Sequence, residues 1–167
     1  MVFNINNKSV SERIELCIDE FTKITSIIEG IGSMSHPVPY LTRYAIVRAC
    51  GAIEYGFKTI ISDANSNEQT EQIKRFIDKK FRNSSINPSY SNICKSLSEF
   101  DESWAEKFKK EIDSNTDKAR ILDSLDSLNQ ARNSFAHGGS PSASFLNVKS
   151  YFSDSVRVLE SIEQAIV

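Results

Sequence analysis

Apolar residues recur at three- and four-residue intervals along most of the chain, with no stretch of strict alternation long enough for a half-buried strand. The first such stripe, Ile14, Leu16, Ile18, Phe21, Ile24 and Ile28, predicts a helix capped by Ser9 or Ser11 and closed by Glu29-Gly30-Ile31-Gly32-Ser33. The second runs from Tyr40 to about Ala64 through Leu41, Ala45, Ile46, Val47, Cys50, Ile53, Phe57, Ile60 and Ile61. It is apolar over more than half its circumference, so it should be the central helix of a bundle. Asp63-Ala64-Asn65-Ser66-Asn67 reads as a break, and Glu68–Arg82 as an exposed amphipathic helix with Ile73, Phe76, Ile77 and Phe81 turned inward.

A polar linker, residues 83–88, leads to two short helices over Ser89–Phe100 and Asp101–Ile112, with Trp104 and Phe108 packed on the bundle. Thr116 or Asp117 then caps a longer helix whose stripe is Ile121, Leu125, Leu128 and Phe135. Gly138-Gly139-Ser140-Pro141 ends it, since glycine takes a left-handed helix exit without a Cβ clash. A last helix runs from about Ser142 to the end on Phe145, Val148, Phe152, Val156, Leu159, Ile162 and Ile166. The fold class is all-α: a single-domain, up-and-down helical bundle over 1–167 with additional short helices.

Composition narrows the class without naming a function. At 167 residues, 40% hydrophobic and 25% charged, the chain is an ordinary globular domain with enough material for a core. Twenty Lys plus Arg against 22 Asp plus Glu leave a net charge of −2, unlike a protein that coats nucleic acid nonspecifically. Any RNA contact would need a locally basic cleft. Cys17, Cys50 and Cys94 are far apart and fit reduced, packed thiols. The polar start, Met1–Ser9, has no leader pattern, and no apolar run is long enough to span a bilayer, so a cytoplasmic protein with no membrane partner is expected.

Candidate chemistry concentrates at the end of the penultimate long helix. Arg132, Asn133 and His137 lie in Gln130-Ala131-Arg132-Asn133-Ser134-Phe135-Ala136-His137-Gly138-Gly139. Counted at 100° per residue, Arg132 falls near the middle of the apolar stripe, while Asn133 and His137 share its edge. A guanidinium there needs a carboxylate, a phosphate or a wet interface. Arg132 pairing with a local acid and His137 acting as a mere cap would satisfy the same pattern. Supporting candidates come from the central helix: Arg43 and Glu54 on one edge, Arg48 on the other flank with Tyr44 and Tyr55. Glu54 either pairs with Lys58 one turn on or holds Arg132. The other histidine, His36, sits in a Pro-flanked loop and reads as solvated. Lys74, Arg75, Lys79, Lys80 and Arg82 form the strongest positive cluster, either a solvated helix end or part of a phosphate track.

Phosphate-binding glycine loops, a nucleophile elbow and metal-ligand spacings are all missing, so no cofactor and no metal site are expected. Without a base for any serine other than His137, a cofactor-free mechanism remains.

Arg132-Asn133-x-x-x-His137 resembles the Arg-x4-6-His motif of the HEPN superfamily, in which a polar residue, often Asn, follows the Arg. The run Tyr40–Glu54 is similar to the early long helix of the RiboL-PSP-type HEPN branch, and the helix order is compatible over essentially the whole chain. The resemblance implies a metal-independent endoribonuclease, active as a homodimer with two motifs facing across a cleft, serving as a toxin or an anti-phage effector. It implies Arg132 as the phosphate-binding and transition-state-stabilising group, His137 as the acid/base, and Asn133 as the residue that orients His137 or the phosphate. RNA substrate, a second copy of the chain and an antitoxin or regulatory protein are the implied partners. A two-fold interface on the helix bearing Leu125, Leu128 and Phe135 would bring both motifs near the axis. His137-Gly138-Gly139 departs from relatives that carry a modifiable Tyr two residues beyond the His. The competing expectation is a HEPN-like module that binds a partner protein or nucleotide and cuts nothing.

Overall fold

The computed structural model describes residues 1–66, 68–139 and 142–166. Seven α-helices and one π-helical turn make up its regular structure, and no described residue lies in a strand. The fold is all-α.

α1 (Lys8–Ile31) buries Val10, Ile14, Cys17, Phe21 and Ile24, a narrow seam that alternates steps of four and three. Leu16 lies off that seam and is exposed, and Ile18 and Ile28 are only half-buried. The cap is Asn7, not Ser9 or Ser11: its side-chain oxygen accepts from the Val10 N–H at 3.2 Å. Asn7 wins this position because it is tied down from several sides. Its side-chain amide donates to Asp63, and the backbone N–H groups of Asn4, Asn6 and Asn7 donate to the Glu160 and Glu163 carboxylates.

α2 (Val38–Ser66) is the central helix, packed on α1, α6 (Lys118–Ala136) and α7 (Phe145–Ile166). Pro39 is tolerated because the first helical turn needs no amide donor there. The expected break at residues 63–66 is instead helix, and Asn67 lies outside the described residues. The polar residues there bond back within the helix or to its neighbours: Asn65 to the Ile61 carbonyl at 2.8 Å, Ser66 to the Ser62 carbonyl at 2.7 Å, and Asp63 to Asn7 and Arg82. Gly56 permits a close approach of α7 and α1 to α2. A Cβ at that position would stand 2.5 Å from Leu159 Cδ1 and 3.1 Å from Val10 Cγ1.

The expected helix at 68–82 is shorter and bipartite, an α-helical α3 (Glu71–Ile77) followed by a π-helical turn over Asp78–Arg82. Its stripe splits. Ile77 and Phe81 are buried, whereas Ile73 and Phe76 face solvent. The wider turn swings Phe81 between Phe57 and Phe100, edge-on to both, while Arg82 clamps to Asp63 and Asp78. Only this foot of the segment reaches the core.

α4 (Tyr90–Phe100) and α5 (Glu102–Ser114) form the expected short pair, capped by the side chains of Ser89 and Asp101. Phe108 is fully buried and Trp104 half-buried. Asp117 stands before α6, but its carboxylate accepts from Arg157 and Arg120 and not from the helix amides. α7 begins at Phe145 behind a reciprocal Ser144–Asn147 pair, so the expected start near Ser142 moves three residues. Ser140, Pro141 and Val167 lie outside the described residues. One core runs through the bundle, with Phe57, Phe108, Phe152, Ile53, Ile121 and Leu125 fully enclosed.

Candidate active site

Ala131 is the last buried residue of α6, and every residue from Arg132 to Gly139 is exposed. The expectation of a core-facing Arg132 is therefore corrected. The apolar stripe continues in sequence, but the inward face of α6 has run out of neighbours by that turn. Arg132 and Phe135 occupy stripe positions at an end of the bundle where the stripe faces outward. The Arg132 guanidinium donates to the Asn133 side-chain oxygen at 3.3 Å, and the Asn133 backbone carbonyl accepts the His137 N–H at 3.1 Å. Asn133 thus contacts both partners, the Arg through its side chain and the His through its backbone.

His137 caps α6 and leaves its imidazole exposed. Gly138 then takes a φ of +80°, a left-handed conformation that only glycine adopts cheaply. The Gly138 and Gly139 N–H groups return to the carbonyls of Phe135 and Ser134 at 3.0 and 2.8 Å, a tight helix exit. A Cβ on Gly139 would sit 2.6 Å from Ser134 Oγ and 3.0 Å from the Ser134 carbonyl oxygen. Both glycines therefore fix the path on which His137 is presented.

The neighbouring surface is apolar. Tyr40, Tyr44 and Val47 of α2 and Phe135 of α6 line a groove of about 510 Å³, with the Arg43 guanidinium 5.6 Å from the Tyr40 ring and 5.9 Å from the Phe135 ring. These four side chains are between 38% and 69% exposed, a contiguous apolar face that no described residue covers. Leu125 and Leu128, in contrast, are core residues about 1% exposed, so an interface on this helix would have to use its exposed end. From that stripe only Phe135 remains available to a partner.

The model of the RiboL-PSP-HEPN family matches residues 12–167. The chain belongs to the RiboL-PSP-HEPN family. Comparison with curated proteins and with solved structures gives no match.

The remaining candidates in this HEPN chain have other partners. Glu54 does not hold Arg132; its carboxylate takes the Lys58 ammonium at 2.6 Å, and Lys58, itself buried, also reaches the Ser84 carbonyl. Glu54 is bound there because Lys58 would otherwise be an uncompensated buried cation. Arg48 forms a two-pronged pair with Glu20 at 2.6 and 2.9 Å, which ties α2 to α1. His36 is exposed in the turn between α1 and α2. Arg43 alone of the supporting set lies beside the motif. Of the basic cluster, Lys74 pairs with Glu71, and Arg82 with Asp63 and Asp78.

Cys50 lies under the motif. Burial pushes its thiol up to about 12, opposed in part by the Arg132 charge and reinforced by the Glu54 carboxylate. Burial likewise raises Cys17 to about 12, so both thiols are chemically quiet. All three cysteines are free. Among the described residues no group of three or more His, Cys, Asp or Glu is placed to hold a metal ion, and no helix is long and apolar enough to cross a membrane.

One feature escaped the sequence. A cavity of about 800 Å³, walled mainly by Ile28, Met34, Val38, Ile46, Phe145 and Leu146, opens between the C-terminal end of α1 and the N-terminal ends of α2 and α7. Arg43 borders both this cavity and the groove beside Phe135. Met34 and Leu146 look like incidental loop and helix-end residues in the sequence, because the stripe pattern says nothing of how helix ends diverge.

Proposed function

We propose that this HEPN chain is a metal-independent endoribonuclease acting as a toxin or an anti-phage effector, with its site completed by a second copy of the chain. The observation that carries the reading is the joint exposure of Arg132, Asn133 and His137 beside an uncovered groove of Tyr40, Tyr44, Val47 and Phe135. A guanidinium and an imidazole held in solvent, with no carboxylate on the arginine among the described residues, are placed to take a phosphodiester. An apolar face next to them gives a second copy something to bury.

RNA brings its own nucleophile. The 2′-oxygen attacks phosphorus and loses its proton to a base, the P–O5′ bond breaks, and the departing 5′-oxygen takes a proton from an acid. An imidazole, which exchanges a proton near neutrality, suits either task, and two copies supply one His137 for each. The Arg132 fork matches two phosphate oxygens and stabilises the charge that grows on them. Asn133 limits the swing of that fork through its 3.3 Å bond. The products are a 2′,3′-cyclic phosphate and a 5′-hydroxyl.

The second reading is a HEPN module that binds and does not cut. It is favoured by the cavity of about 800 Å³, whose size and apolar walls are those of small-ligand sites. Induced expression separates the two. A nuclease arrests growth, and His137→Ala relieves the arrest while the purified variant keeps its helical circular dichroism. Equal arrest by both proteins, or none by either, supports the binding module.

A further inference from the structure

We infer that the exposed face of α3 and its π-helical turn is a second contact for single-stranded RNA, distant from the motif, so that the substrate is a strand long enough to reach both. The inference rests on the ribonuclease reading above.

Three observations meet on this segment. Ile73 and Phe76 are 43% and 63% exposed although they were free to join the stripe that buries Ile77 and Phe81. Arg75, Lys79 and Lys80 are exposed around them. Of the five cations on the segment, Lys74 and Arg82 are engaged by Glu71, Asp63 and Asp78, and these other three meet no carboxylate among the described residues. Three cations that meet no carboxylate among the described residues thus share this short segment with an exposed phenyl ring, in a chain of net charge −2. Aromatic faces with flanking cations are how proteins hold unpaired strands: bases stack on the ring, and phosphates meet the cations.

Placement separates this contact from the motif. Arg43 of α2 lies against Phe135, whereas Asp63, near the other end of α2, holds Arg82 at the foot of the segment. At about 1.5 Å per residue these two positions on α2 are roughly 30 Å apart. A stacked strand advancing about 3.4 Å per nucleotide needs roughly nine nucleotides to cover that length. The phenyl ring and the three charges favour a nucleic acid over an acidic peptide because the strand supplies flat faces and anions in regular alternation.

The test uses the full chain carrying His137→Ala, so that RNA stays intact, and fluorescein-labelled oligouridylates of 5 and 15 nucleotides. The 15-mer is expected to bind at least tenfold more tightly than the 5-mer. Replacing Arg75, Lys79 and Lys80 together by Ala should remove that advantage and lower the slope of log affinity against log salt by about 2, at ~0.7 per phosphate contact. Phe76→Ala should weaken the 15-mer by about tenfold and leave the 5-mer unchanged. All four side chains are exposed, so circular dichroism and the melting temperature should match the parent; if the triple variant loses helix, the single substitutions and Phe76→Ala carry the same comparison. Unchanged 15-mer binding, or equal weakening of both lengths, overturns the inference. So does a poly-glutamate peptide that binds this face while RNA does not. If the His137-bearing protein cuts no RNA but the length and charge dependence appear, the nuclease reading fails and this contact stands.

Discussion

The Cys50 thiol lies 3.3 Å from the carbonyl oxygen of Leu128, the carbonyl to which the α-helical pattern also assigns the Arg132 N–H. The turn that carries Arg132 is therefore fastened to α2 from below while its side chain stands in solvent. This buried contact holds the backbone of the motif's first turn, and on the exposed side the Asn133 side chain restrains the guanidinium.

That burial has a chemical consequence. Cys17 and Cys50, each raised to about 12 by desolvation, should resist iodoacetamide at pH 8 in the folded protein and react once it is unfolded. Half-buried Cys94 should react first. The sign for stability follows from proton binding: the folded thiols hold protons that unfolded thiols release above about pH 9. Their contribution is complete below that pH and declines as pH rises toward 12. Thermal melts across pH 8–11 check this, and rapid native-state labelling of Cys50 would contradict it.

The groove beside the motif predicts an oligomer. Val47→Glu places a carboxylate among Tyr40, Tyr44 and Phe135, so it should convert a dimer to a monomer in sedimentation and abolish cleavage with the motif intact. Val47 is 46% exposed, so the monomer's melting temperature should change little. A variant that stays dimeric and active removes this face from the account.

Gly139→Ala tests the presentation of His137. The added methyl meets Ser134 Oγ at 2.6 Å and the Ser134 carbonyl at 3.0 Å, so the helix exit has to shift. Cleavage should fall by tenfold or more although Arg132, Asn133 and His137 are all present. Gly139→Ala combined with Ser134→Gly, which removes the closest contact, should recover part of the loss.

Gly56→Ala tests the core. Its methyl would overlap Leu159 and crowd Val10 where α7 and α1 meet α2, and overpacking of this kind costs about 1–3 kcal/mol. Chemical denaturation should show that loss, with catalysis per folded molecule unchanged.

The bundle was legible in the sequence because α2, α6 and α7 carry long apolar stripes that decide which face goes inward. Local polarity misled at the end of α2, where Asp63, Asn65 and Ser66 suggested a break but are satisfied within the helix or by Asn7 and Arg82. The stripe misled again at residues 68–82, where Ile77 at the end of α3 and Phe81 in the π-helical turn are buried but Ile73 and Phe76 are not. At the motif, the residues were readable from their spacing, but their exposure was not: a helical wheel assigns Arg132 a direction and cannot say where the neighbouring helices end. Glu54 had two candidate partners one turn and many residues away, and the buried Lys58 took it. The large cavity had no signature, because it is made by the divergence of three helix ends.

The most direct test of the central claim is cleavage of a labelled single-stranded RNA in EDTA, with the chemistry of the new ends determined. The wild-type protein is expected to leave 2′,3′-cyclic phosphate and 5′-hydroxyl termini. His137→Ala and Arg132→Ala should each lose at least 100-fold in rate, and Arg132→Lys should recover only part of the Ala defect, because an ammonium cannot fork across two oxygens. Cleavage that requires added Mg²⁺, or that persists undiminished in His137→Ala, would contradict the claim.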